Sequence, residues 1–139
     1  MSSVTYLDFH VRMPSATQVV PVIVEDIVKV LDDNGFARSE IMDVKYALNE
    51  ALVNSVVHGN GEVRSKQVCI SYALCGVEFR VRIEDQGCGF DPHQVADPLA
   101  QENLTRTSGR GIFMMREFMD LVEFNEMGNC VTMVKRTAA

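Results

Sequence analysis

The sequence predicts an α+β two-layer sandwich, a mixed and mostly antiparallel sheet covered on one face by helices, built as a single domain over residues 1–139. Three observations carry this. Apolar residues alternate with polar ones in paired runs joined at glycine, the pattern of hairpins with one buried face. Three other stretches repeat their apolar residues at three and four, the stripe of an amphipathic helix. The resulting order, β-α-α-β-β-α-β-β, brings strands in as hairpins, which disfavours a doubly wound parallel sheet.

Leu7, Phe9, Val11 and Met13 alternate with Asp8, His10 and Arg12, and Pro14-Ser15 ends this first strand. A helix follows from near Ser15 or Ala16, with Val19, Val20, Ile23, Ile27, Val30 and Leu31 at helical spacing. Pro21 fits its first turn, where a missing N–H costs little, and Asn34-Gly35 closes it. Ser39 reads as the N-cap of a second helix striped by Ile41, Val44, Leu48, Leu52 and Val56. That helix runs to about Val57, and His58-Gly59-Asn60-Gly61 stops it. Val68, Ile70, Tyr72 and Leu74, then Val77, Phe79, Val81 and Ile83, make a hairpin around Cys75-Gly76. Residues 93–108 carry no clean period. Ile112, Met115, Phe118 and Met119 mark a third helix opening at Gly109-Arg110-Gly111, and a last hairpin turns at Met127-Gly128.

The formal net charge of −6 argues against nucleic acid, whose binding rests on Lys and Arg neutralising phosphates. The four cysteines form no Cys-x-x-Cys pair and stand near no His cluster, which fits reduced structural thiols better than zinc. The N-terminus has neither the basic nor the apolar region of a signal peptide, and the apolar runs are too short to span a bilayer. A cytoplasmic location without membrane contact is the expectation.

Three short stretches could carry chemistry. Glu50 and Asn54, four apart, share one helix face away from the apolar stripe, and small Ala47 and Ala51 beside them leave room for a ligand. A carboxamide oxygen suits Mg²⁺, and a carboxylate can take a proton from a hydroxyl. A solvated helix face would also carry such a pair. Asp85 follows directly on a strand end, with Gly87 and Gly89 two and four positions on. Such a turn offers backbone N–H groups to a ligand, and its carboxylate can accept from an exocyclic amine such as that of adenine, though ordinary glycine turns read alike. Gly109 and Gly111 stand where a helix N-terminus would meet an anion, with Arg106 and Arg110 close by. Simple helix entry explains this stretch equally.

The order Glu50…Asn54, Asp85-x-Gly87-x-Gly89, Gly109-x-Gly111 resembles the N-box and two glycine boxes of the GHKL ATPases. With no room for dimerisation or transducer domains, the chain looks like the anti-sigma-factor serine kinases over roughly residues 5–136. The resemblance implies a Bergerat-type ATP-binding fold using ATP and Mg²⁺. It implies Glu50 as general base, Asn54 as Mg²⁺ ligand and Asp85 as reader of the adenine amine. Gly87 and Gly89 would let the chain pass close to the nucleotide, and Gly109 and Gly111 would hold phosphates under a lid of residues 96–108. His58, Arg106 and Arg110 would border the phosphates. The implied function is an anti-sigma factor that phosphorylates a serine of a STAS-domain anti-anti-sigma protein and sequesters a sigma factor, and so regulates transcription. The resemblance also implies an isologous homodimer, sought at the first strand and helix, where Val19, Val20, Val22, Ile23 and Val24 exceed one buried stripe. The alternative is a nucleotide-dependent binding switch without turnover. A plain α/β domain with turn glycines and no ligand is the third reading.

Overall fold

The computed structural model describes residues 6–87 and 107–138, with the backbone alone for residues 107–110. Strands β1 (Tyr6–Pro14), β2 (Gln67–Cys75), β3 (Glu78–Glu84), β4 (Leu121–Phe124) and β5 (Cys130–Arg136) form one sheet in the order β1-β2-β3-β5-β4. Every neighbouring pair is antiparallel, so the parallel component expected of a mixed sheet is not found among the described residues. Helices α1 (Val20–Asp33), α2 (Arg38–Val53) and α3 (Thr107–Phe118) complete the predicted order.

Register places every strand's apolar set on one face. Met13, Val11, Phe9 and Leu7 oppose Val68, Ile70, Tyr72 and Leu74, which oppose Ile83, Val81 and Phe79 through the β2–β3 pairing. On β5, Val131 and Met133 continue the row. One core joins this face to the helices, through Ile27 and Leu31 of α1, Val44, Leu48 and Leu52 of α2, and Ile112 and Met115 of α3. Each such side chain contributes about 1.5–3 kcal/mol on burial. As an edge strand, β1 leaves Leu7, Phe9 and Val11 only half-buried.

Several local expectations shift. A 3-10 turn over Thr17–Val19 precedes α1, so the helix starts at Val20 and Pro21 sits in its first turn. Its end is a Schellman motif. Phe36 N–H donates to Leu31 O (3.1 Å), Gly35 N–H donates to Asp32 O (3.3 Å), and Gly35 has φ +87°. Within the apolar run, Val20, Ile23 and Val24 are buried and Val19 is partly buried, which leaves Val22 as the exposed member. Ser39 is not the cap of α2. The helix begins at Arg38, and the Glu40 carboxylate reaches back to accept the Ala37 N–H at 2.7 Å. The same carboxylate accepts from Thr137 Oγ1 and Ala138 N–H, which ties the segment after β5 to α2. Val77 lies in the turn after Cys75 rather than in β3.

The largest difference is at the end of α2. The predicted α-helix to Val57 gives way at Asn54 to a π-helical turn over Asn54–Gly59, sealed by Asn60 N–H donating to Ser55 O at 2.8 Å. Single π turns of this kind are frequent at functional sites.

Candidate functional site

The π turn opens α2 toward the sheet just where β3 ends. Ala51, Asn54, Ser55, His58 and Gly59 line a cleft that is open to solvent. Ile83 and Asp85 line it too, with Ile112 and Met115 of α3, Gly128 and Asn129 of the β4–β5 turn, and Cys130 at the start of β5. An apolar hollow with a few convergent polar groups is the usual form of a small-molecule site.

Asp85 is buried yet charged in character, and its environment explains why the chain tolerates it. Its Oδ1 accepts the Gly87 N–H at 2.8 Å, and the Ser55 hydroxyl donates to the carboxylate. Burial pushes its pKa up, and those two hydrogen bonds pull only partly back. A carboxylate has about four acceptor positions, so capacity remains for a ligand donor. Room for it comes from two glycines. A Cβ on Gly59 would overlap the Asp85 carboxylate, and one on Gly87 would overlap the Gly59 carbonyl. The sequence expectation is that the turn offers its N–H groups to a ligand, but among the described residues they are already engaged. Those of Asp85, Gln86 and Gly87 are taken by Asn129 O, Asn60 Oδ1 and Asp85 Oδ1.

Glu50 and Asn54 keep their one-turn spacing, since the Asn54 N–H still donates to Glu50 O. Both side chains are partly buried. Asn54 faces the cleft, and Ala51 lines it, whereas Ala47 is fully buried in the core and leaves no space. The Glu50 carboxylate lies against α3, where a Cβ on Gly111 would overlap its Oε2. Burial raises its pKa above the ordinary carboxylate range, which strengthens it as a base.

α3 begins at Thr107, two residues before the predicted start. Gly109 therefore lies in the first described turn of the helix. Gly111 follows within the same helix, and its lack of a side chain leaves the space that the Glu50 carboxylate occupies. His58 is exposed at the cleft wall. Gly89, Arg106 and the lid residues up to 106 lie outside the described residues, as does the side chain of Arg110.

Sequence reasoning missed Ser55, Asn60 and Asn129, and took Gly59 for a helix stop. No local pattern marks them, because each acts on a segment distant in sequence.

A fold with this cleft and these boxes is that of a nucleotide-handling domain, and the comparisons agree. The chain belongs to the histidine kinase-like ATPase domain family, whose model matches residues 13–135. An anti-sigma F factor of Clostridium perfringens is 37% identical over 87 residues, covering 60% of this chain and 61% of that protein. The chain thus spans about six-tenths of the length of the clostridial relative. The serine-protein kinase RsbW of Bacillus subtilis is 28% identical over 133 residues, 91% of this chain and 83% of the relative. A crystal structure of the RsbU and RsbW domains of a Mycobacterium tuberculosis protein superposes with a TM-score of 0.66 at 17% identity, over 94% of this chain and 32% of that one, a likeness of fold.

Proposed function

We propose that this domain is an ATP-dependent serine kinase acting on a STAS-domain anti-anti-sigma protein, and that it sequesters a sigma factor. One observation carries the reading. A single helix, α2, presents Glu50 and Asn54 one turn apart, and its π extension meets the buried Asp85 across one cleft. The relatives named anti-sigma F factor and serine-protein kinase RsbW supply the partner class.

The division of labour follows from the residues. Asp85 accepts the exocyclic amine of adenine, and Ile112, Met115 and Phe124 offer the base an apolar slot. Glu50 takes the proton of the substrate serine as its oxygen bonds to the γ-phosphorus and the bond to ADP breaks. The raised pKa of Glu50 suits it to that proton. The Asn54 carboxamide lines the cleft and carries a hard oxygen donor. That donor set fits Mg²⁺, which takes few protein ligands and would neutralise phosphate charge when bound beside Asn54. Gly109 stands near the N-terminal end of α3, where the helix dipole favours negative charge. We assign Arg106 and Arg110, with His58, to the phosphate end, Gly89 to the nucleotide turn, and a homodimer contact to β1 and α1. Among the described residues no helix is long and apolar enough to cross a membrane.

The test is transfer of label from γ-labelled ATP to a purified STAS-domain protein of the same genome, with Glu50→Gln alongside. Serine labelling that Glu50→Gln reduces by about 10²-fold or more is expected. ATP-dependent partner binding with no labelled serine would replace the kinase by a non-catalytic switch.

A further inference from the structure

The structure assigns to Asn60 the role of positioning residue for the base-reading turn, and we infer that nucleotide selectivity depends on its side-chain carbonyl. This rests on the nucleotide reading above. The buried polar side chains among the described residues are Ser15, Ser55, Asn60 and Asp85, and all four fall in one cluster beneath that turn. Asn60 is its hub and is completely buried. Its Nδ2 donates to Ser15 Oγ at 2.7 Å and to Gln67 O at 3.0 Å. Its Oδ1 accepts the Gln86 N–H at 2.7 Å. One carboxamide thus joins the entry to α1, the start of β2 and the residue after Asp85.

A buried carboxamide costs free energy unless its nitrogen and oxygen find partners, and here Nδ2 makes two bonds and Oδ1 one. A core stabilised by packing alone has no need of such a group. The bonds show what it does. Asp85 is held on one side by its N–H to Asn129 O at 2.9 Å, and that contact comes from the β4–β5 loop. On the other side the peptide joining Asp85 to Gln86 is held by Asn60 Oδ1. Gln86 adds a second tie, its Oε1 accepting the Gln67 N–H at 2.7 Å. With Asn60 gone, the turn keeps the Asn129 anchor and the Gln86 side-chain tie, but the Asp85–Gln86 peptide loses its 2.7 Å bond and is left with the longer one, Asn129 Nδ2 donating to Asp85 O at 3.4 Å. The carboxylate then samples orientations that no longer separate an amine donor from a carbonyl at the purine 6-position.

Asn60 touches no ligand and acts through Asp85, so its loss should alter which purine is bound. The experiment measures ATP and ITP affinities for the wild type, Asn60→Ala and Ser15→Ala by calorimetry, with melting temperatures alongside. ITP carries a carbonyl where ATP carries the amine. The wild type is expected to prefer ATP, Asn60→Ala to lose that preference by roughly tenfold, and Ser15→Ala to melt lower with the preference intact. Ser15 bonds the same side chain but does not reach the turn, so it reports a purely structural effect. Asn60→Ala that melts lower yet keeps the wild-type ATP:ITP ratio would overturn the inference. A wild type that binds neither nucleotide would overturn the reading on which it rests. Should Asn60→Ala fail to fold, amide exchange in the wild type decides. The Gln86 N–H is expected to exchange at least about a hundredfold more slowly than a free amide, and exchange at the free rate overturns the role of Asn60.

Discussion

Gly111→Ala separates the site from the fold. The nearest atoms to the added Cβ would be those of the Glu50 side chain, Oε2 overlapping it with Cδ at 3.1 Å and Cγ at 3.7 Å. These atoms are the far end of a flexible side chain, so the clash is relieved by turning Glu50 away at about 0.5–1.5 kcal/mol. Against that, alanine inside a helix is better than glycine by about 0.8–1 kcal/mol. The two terms nearly cancel, and stability should change by under about 1 kcal/mol, a melting shift below roughly 4 °C. Catalysis does not share this balance. Displacing a reacting group by about 1 Å costs on the order of 10² in rate, so phosphotransfer should fall about a hundredfold. The slot around Asp85 is untouched, and ATP affinity should hold within a few-fold. Transfer of γ-label to the STAS-domain substrate, ATP titration and thermal melting read the three quantities. Transfer at the wild-type rate in a folded Gly111→Ala protein would refute the placement of Glu50 against α3.

Gly87→Ala should behave oppositely, since its Cβ would overlap the Gly59 backbone carbonyl, which cannot swing aside. A loss of about 1–3 kcal/mol in urea unfolding is expected, and a loss under about 0.5 kcal/mol would contradict the close approach. Asp85→Asn should abolish ATP binding by calorimetry while changing the pH dependence of stability. The folded-state pKa of Asp85 is raised, so the wild type loses stability as pH rises from the unfolded value through the folded one. The melting temperature of Asp85→Asn relative to wild type should therefore be more favourable at pH 8 than at pH 4. The kcat of phosphotransfer should drop on acidification as Glu50 takes up a proton, at a pH above the ordinary glutamate range because burial raises its pKa. A rate that stays flat well below pH 4 would remove Glu50 as base.

Alternation made the sheet legible, because a strand with one buried face must repeat at two. Val68 to Leu74 and Phe79 to Ile83 came out as read, and the pairing register followed the same apolar rows. The cap of α2 was not legible, since it is made by Glu40 reaching back to a backbone N–H, while Ser39 is the better capping type by composition. The π turn was invisible for a related reason. Shifting hydrogen bonds by one residue changes no side chain, yet it sets Ser55 and Gly59 against Asp85. Glu50, Asn54 and Asp85 stood out because carboxylates and carboxamides beside small residues are conspicuous. Asn60 and Asn129 did not, since asparagine near a turn needs no tertiary partner to be plausible.

The pairing of β1 with β2 bears on how the chain is made. Pro14 pairs with Gln67 and Tyr6 with Cys75, so the first strand's partner lies 53 to 69 positions further along. At synthesis rates of about 5–20 residues per second, that partner emerges roughly 3–14 seconds after the strand itself. Through that interval Leu7, Phe9 and Val11 are translated without a strand to lie on, while α1 and α2 already have one another. Nascent chains halted before residue 67 should therefore bind hydrophobic-seeking chaperones through their first dozen residues, and chains halted after residue 75 should release them.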